Sequence, residues 1–323
     1  MAPRPDRRSI VGGLAAMAFA SPARAAWPER AITIVHGFAA GGNADVVARI
    51  VADALQRATG FSFIVEIRSG AGGTIAATQV ARAAPDGYTL AILPGGHAVA
   101  AAMYRQLAYR SVEDFTMISM VTDFPFVLAT NSEHRIRSFA DLLVAGREAP
   151  EPLLWASAGN GTGQHLSGEL LASMGRLSMR HVPYRGGSQS TLDLLAGRID
   201  LIMDTPTVLL EQIRDGKLRA LAVTGARRFY ALPDTPTISE AGLPGYETSS
   251  WLGLAGPAGL PPDIAARLNA GVATILADPT VIEKLRALGS LASPTSGQAF
   301  RDRVVSDIEK WTKVVADANI ERL

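Results

Sequence analysis

Ile32-Thr33-Ile34-Val35-His36-Gly37-Phe38-Ala39-Ala40-Gly41-Gly42-Asn43-Ala44-Asp45 is the stretch that decides the fold. A β-favouring run enters a glycine loop. From Asp45 to Arg57, Val46, Val47, Ile50, Val51 and Leu55 then share one helical face. The rhythm returns at once: a strand over 61–67, Gly70-Ala71-Gly72-Gly73, a helix over 74–83, the turn Pro85-Asp86-Gly87 and a strand over 88–93. Strand, helix and strand in this order predict an α/β fold whose mainly parallel sheet carries helices on its faces.

Phe124 to Thr130 reads as one extended apolar run leading to a second series. A strand near 150–157 meets the loop Ser157-Ala158-Gly159-Asn160-Gly161-Thr162-Gly163 and a helix over 164–174. A strand over 179–184, a helix over 188–196, a strand over 199–203, a helix after Pro206 and a strand over 218–223 follow. Residues 248–254 are extended, and three helical patterns close the chain over 262–277, 279–288 and 297–318. These last helices have no series of strands to cover, so they are expected to return to the first sheet. Two lobes result, 27–124 plus 249–323 and 125–248, with a ligand cleft between them.

The two glycine loops carry the chemistry. Glycine lets backbone turn tightly and approach a ligand, and a helix start presents unpaired N–H groups at the positive end of its dipole. One seat on each lobe would clamp the two ends of a dianion. A hydrogen bond to a charged group contributes roughly 1.5–3 kcal/mol, and micromolar affinity needs about 8 kcal/mol. Four to six such bonds suffice without a buried arginine. The competing reading, a purely structural strand-to-helix turn, stands beside this one. Asp45 in the first turn is a ligand contact or a cap, and His97, after Pro94-Gly95-Gly96, lines the cleft or packs.

Other classes find little support. The spacing around Gly159 and Gly161 places Gln164 where a dinucleotide loop needs a small residue, and no phosphate-binding G-x-x-x-x-G-K-[ST] loop is present. Gly187-Ser188-Gln189-Ser190 is not a nucleophile elbow. The five histidines lack metal-site spacing, and with no cysteine there are no disulfides, thiolate sites or lipidated N-terminal cysteine. A net charge of +1 over 323 residues argues against nucleic-acid binding, and 48% apolar residues are ample for packed cores. No cofactor and no metal are expected.

Residues 1–26 read as an export signal. A basic head with Arg7 and Arg8 precedes a short apolar run from Ile10 to Ala20, and Ala23-Arg24-Ala25 supplies a cleavage site. The arginine pair fits the twin-arginine route and an ordinary signal alike. The mature chain is therefore expected in the periplasm, soluble and without a lipid anchor.

Ordered blocks along the mature chain resemble the substrate-binding receptors of tripartite tricarboxylate transporters, the Bug-type proteins. They include Gly41-Gly42 with Asp45, Gly70 to Gly73, Pro85 to Leu90 and the Gly159/Gly161 loop with His165-Leu166. Val182 to Gly186, Asp193 to Asp200, Leu221 to Thr224, Leu232 to Thr237, Pro244 to Glu247, and Trp251 with Gly253 follow. The resemblance implies a type II periplasmic-binding-protein fold that closes on a small carboxylate, a membrane permease as partner, and a monomer. Carried over by motif, it implies a ligand site at Phe38, Ala39, Ala40, Gly41, Gly42, Asp45, Ser157, Gly159, Asn160, Gly161, Thr162, Tyr184, Arg185, Gly186 and Asp204. Two departures stand out: Gly37, Ala39 and Ala40 replace the usual prolines, and Arg185 replaces a common lysine. A sensor or scavenger on the same fold is the first alternative, and an enzyme on this scaffold the second.

Overall fold

The computed structural model describes residues 27–323; the export signal expected over residues 1–26 lies outside the described residues. The first series runs β1 (Ile32–His36), α1 (Asn43–Thr59), β2 (Phe63–Ile67), α2 (Thr74–Ala81), β3 (Thr89–Pro94), α3 (Gly96–Met103) and β4 (Phe115–Phe124). The second runs β5 (Val127–Asn131), α4 (Phe139–Glu148), β6 (Leu153–Ser157), α5 (Gly163–Gly175), β7 (Met179–Pro183), α6 (Gly187–Leu195), β8 (Leu201–Asp204), α7 (Pro206–Arg214) and β9 (Leu218–Val223). The return adds β10 (Ser250–Pro257), α8 (Pro262–Leu276), α9 (Pro279–Ala287), β11 (Leu291–Ala292) and α10 (Gly297–Asp317).

Two sheets form, ordered β11-β4-β10-β3-β1-β2 and β7-β6-β8-β5-β9. Each supports one lobe. Parallel pairing joins β1 to β2 and β3, and β6 to β7 and β8. The expectation of mainly parallel sheets needs refinement, because β5 and β10 pair antiparallel with both their neighbours. The reason is where they begin. Each is the first strand after a crossing between lobes, so it starts at the cleft, where the parallel strands end, and runs the other way.

The run read as one extended segment, Phe124 to Thr130, joins the last residue of β4 to β5 in a different sheet. Pro125 and Phe126 separate β4 from β5, and proline withholds the N–H that a continuous ladder would use. The crossings lie side by side, with Phe124 paired to Ser250. Thr224 ties them: its Oγ1 accepts from the Phe126 N–H (2.8 Å) and donates to the Thr248 carbonyl (2.8 Å).

Packing follows from the apolar faces. The α1 face read from sequence buries Val47, Val51 and Leu55, while Gly60 ends the helix at φ 75°. In the second lobe Trp155 is the largest of the fully buried side chains, with Tyr246 and Phe126, and in the first Trp251 and Phe300 meet edge-on. The closing helices return to the first sheet as expected: α8 packs on α1 and β4, and α10 on α3 and β4. Four elements escaped the sequence pattern: α3, α4, β4 up to Phe124, and the two-residue β11. The first is an alanine-rich helix buried nearly all round, so it shows no amphipathic period.

Candidate functional site

Where the strands of both sheets end, helix starts face one another across a cavity. About 570 Å³ there is free of protein atoms, part of it open to solvent. That falls within the ~300–1,000 Å³ of small-molecule sites. The first lobe contributes the starts of α1 (Asn43, Ala44) and α3 (Gly96); the second contributes those of α5 (Gly163, Gln164), α6 (Gly187, Ser188) and α7 (Thr205). Phe38, Pro94, Phe124, Phe126, Val208 and Leu252 form apolar walls. Among the described residues lining the cavity there is no lysine or arginine, and Asp204 is the single ionisable group.

Caps separate the helix starts. Neither α1, with Gly42 at its N-cap, nor α6, with Gly186 there, has a side-chain hydrogen bond to its first amides. α5 does: Thr162 Oγ1 accepts from the His165 N–H at 3.2 Å. The starts of α3 and α7 also lack a side-chain cap, the latter with Pro206 in its first turn, but α1 and α6 lie close together across the lobes. A Cβ built on Gly186 would stand 3.0 Å from Ala39 Cβ, and one on Gly41 would stand 3.9 Å from Ser188 Oγ. Uncapped first-turn amides are unsatisfied donors, so α1 and α6 are the stronger pair of anion seats.

The residues expected at the site divide into groups. Phe38, Ala39, Ala40, Gly42, Thr162, Gly186 and Asp204 line the cavity. Gly159, Asn160, Tyr184 and Arg185 instead line an adjoining outer hollow that shares Phe38 and Ala158 with it. Tyr184 is turned away further, its hydroxyl donating to Asp193 Oδ2 at 2.7 Å. Gly161 closes the rim between lobes. It sits at φ 72°, and a Cβ there would stand 2.7 Å from the Tyr104 ring of the first lobe.

Gly41 is exposed outside the cavity lining, and Asp45, His97 and Ser157 act from behind the surface. Gly41, at φ 76°, donates its N–H to Asp45 Oδ2 (2.9 Å). Asp45 Oδ1 lies 3.2 Å from His36 Nε2 and accepts from Arg49 Nε at 2.9 Å. The Asp45 carboxylate thus grips its own loop and does not face the cavity. Burial alone would raise its pKa, but the hydrogen bonds from Arg49, Gly41 and His36 outweigh this and hold it below the usual range. Burial likewise lowers the pKa of His36 despite its Asp45 partner. His97, considered for the cleft, packs instead. Its Nε2 lies 2.8 Å from the Ser111 carbonyl oxygen, its ring stacks on Tyr109, and burial pushes its pKa down to about 4. Ser157 Oγ receives the Gly159 N–H (3.1 Å) and lies 2.7 Å from His181 Nε2, fully buried beneath its loop.

Sequence reasoning passed over Ser188, Gln164, Thr205 and the crossing residues Phe124, Phe126 and Ser250. For Ser188 a signal existed: Gly186-Gly187-Ser188 is a further glycine-rich helix start. The crossing residues had none, because they reach the cavity only once two distant segments lie together.

Comparison with known proteins fits this architecture. The family model of the tripartite tricarboxylate transporter family receptor matches residues 47–320. The chain belongs to this receptor family. A curated relative, the UPF0065 protein in the tcbD-tcbE intergenic region of Pseudomonas sp. (strain P51), is 38% identical over 96% of this chain and 94% of its own. Among solved structures, R. palustris Rpa4515 with adipate superposes with TM-score 0.89 at 37% identity, covering 92% of this chain and all of that one. Periplasmic binding protein BugD gives 0.88 at 32% identity, over 92% of this chain and all of BugD. MatC from Rhodopseudomonas palustris with bound malate gives 0.85 at 34% identity, over 89% and 99%. The tripartite tricarboxylate receptor fold accounts for both sheets and the cleft between them.

Proposed function

We propose that this receptor captures a small carboxylate in the periplasm and delivers it to a tripartite tricarboxylate-type membrane permease, without transforming it. One observation carries the reading: two uncapped helix starts, α1 and α6, face each other across a mostly apolar cavity that no lysine or arginine among the described residues lines. Backbone amides at helix starts suit a carboxylate, and apolar walls suit its carbon chain. The adipate and malate named for Rpa4515 and MatC support that ligand class.

The lobes, 27–124 with 249–323 and 125–248, would close about the paired crossings at Pro125 and Thr248. An export signal over residues 1–26 would deliver the chain to the periplasm. Among the described residues no helix is long and apolar enough to cross a membrane. Against catalysis, the Ser157–His181 pair is buried outside the cavity, and burial pushes the pKa of His181 down to about 3.

A thermal-shift screen of the mature chain against mono-, di- and tricarboxylates, amino acids and aromatic acids tests the reading. Ligand at a hundredfold over Kd stabilises the folded state by about 2.7 kcal/mol, a shift of several degrees. A hit recovered unchanged after incubation supports a carboxylate receptor. A blank across the panel refutes it.

A further inference from the structure

The lobe-two end of the cavity holds a group that an anion receptor should avoid. Asp204, at the end of β8, lines the cavity and is 1% exposed. Its Oδ1 is satisfied, accepting from the Thr205 N–H (2.7 Å) and from Gln164 Nε2 (3.3 Å). Among the described residues its Oδ2 has no hydrogen-bond partner, and neither does the neighbouring Thr205 Oγ1. Room for Oδ2 depends on Gly187: a Cβ built there would stand 2.5 Å from it. That same Gly187 opens α6, whose first amides are uncapped. One end of the cavity therefore presents free N–H donors and, beside them, a free carboxylate acceptor.

We propose, resting on the carboxylate-receptor reading, that Asp204 and the α6 start together bind a ligand group that both accepts and donates a hydrogen bond. The ligand is a small carboxylate, anchored as an anion at α1, whose far end is a hydroxyl, a carboxamide or a carboxyl that shares a proton with Asp204. A fully ionised dicarboxylate fits poorly, because two carboxylates at hydrogen-bond distance in a buried site cannot both stay charged. It binds by taking up one proton. An ammonium satisfies Asp204 but meets the positive end of the α6 dipole.

The surroundings agree. α5 offers Gln164, α6 Gly187 and α7 Thr205 and Val208, and among the described residues no ionised side chain contributes to the Asp204 environment. Burial pushes its pKa up to about 6, against the hydrogen bonds from Thr205 and Gln164. The titratable groups at the opposite end, His36 and Asp45, lie beneath the α1 loop.

Calorimetry on the mature chain with matched C4–C6 sets of dicarboxylate, monoamide and ω-hydroxy acid tests this. At pH 8 the best-fitting monoamide or hydroxy acid should bind at least tenfold tighter than its dicarboxylate. Dicarboxylate affinity should rise about tenfold on lowering the pH from 8 to 6.5, where buffers of different ionisation enthalpy should report uptake of close to one proton. In Asp204→Asn the dicarboxylate should tighten at least tenfold at pH 8 and lose its pH dependence. Should Asp204→Asn fail to fold, the proton-uptake measurement on the unmodified chain decides alone. Dicarboxylate binding that is tight, pH-independent and free of proton uptake overturns the role of Asp204 while leaving the receptor reading intact. No binding by any member of the sets overturns this assignment of the ligand, and a blank across the wider carboxylate panel as well overturns the receptor reading itself.

Discussion

The loop before α1 and the loop before α5 share a sequence plan of strand end, glycines and helix start, yet they do different work. Before α1 the N-cap is Gly42, which offers no side-chain cap, and the loop lies open to the cavity. Before α5 the N-cap is Thr162, which satisfies the His165 N–H, while Gly161 presses against Tyr104 of the other lobe. The buried supports differ too. Asp45 with His36 and Arg49 braces the first loop, whereas Ser157 and the clustered rings of Trp155, His165 and His181 lie beneath the second. A glycine loop marks where backbone can approach a ligand. The cap decides whether the helix start is available to one.

The largest expected effect separates the loops by pH. Burial pushes the pKa of His165 down to about 4 and that of His181 to about 3. The unfolded chain binds these protons as pH falls through about 6.5, and the folded chain does not until near 4. Their contribution is therefore fully present above pH 6.5 and lost between 6.5 and 4, by about 3 kcal/mol for His165. Asp45, held below the ordinary carboxylate range, acts lower: its contribution is lost only below about pH 4. Urea melts from pH 7.5 to 4 should show this slope, and His181→Gln should flatten it. An unchanged slope in that variant would place the acid sensitivity elsewhere.

Next comes conversion of one loop into the other. Gly42→Asp gives α1 a side-chain cap and a resident carboxylate where the ligand should sit. Affinity in calorimetry should fall about a hundredfold, the loss of one to two charge-assisted hydrogen bonds, while the fold survives. Retained affinity would remove α1 from the binding site. Asp45→Ala should weaken binding about tenfold and lower Tm, because Gly41 loses its acceptor and His36 its partner. A drop in Tm alone would make Asp45 purely structural.

Gly161→Ala probes closure. Its Cβ meets Tyr104 at a left-handed φ, so affinity should fall a few-fold to tenfold. Adding Tyr104→Ala should recover part of the loss; no recovery would mean that backbone strain alone is responsible. The smallest effect belongs to Thr162→Ala, which removes the α5 cap. It should cost about 1 kcal/mol of stability and leave ligand affinity nearly unchanged. A large affinity loss would show that α5 also holds the ligand and would undo the contrast between the loops.

Most strands and helices were legible because their signals are local: the α1 face from Val46 to Leu55, the turn at Pro85–Gly87, the proline-led starts at Pro206, Pro262 and Pro279. The losses have local causes as well. α3 is buried nearly all round and shows no period, and the run from Phe124 to Thr130 hides a change of sheet at Pro125. The site was legible as loops and not as surfaces. Phe38, Gly42 and Gly186 line the cavity, while Asp45, His97 and Ser157 are turned into their own supports. A side chain's direction depends on partners such as His36 and Ser111, which the spacing of its own motif does not reveal.

By itself, the sequence determined the alternation of strand and helix and the placing of glycines at helix starts, since backbone propensity and periodicity act within a few residues. Only the tertiary structure decided which starts remain uncapped, that α6 faces α1, and that Asp204 stands alone with a free oxygen at the cavity wall. Those outcomes depend on two lobes meeting across paired crossings more than a hundred residues apart, and electrostatics in the space between them is a property of neither chain segment alone.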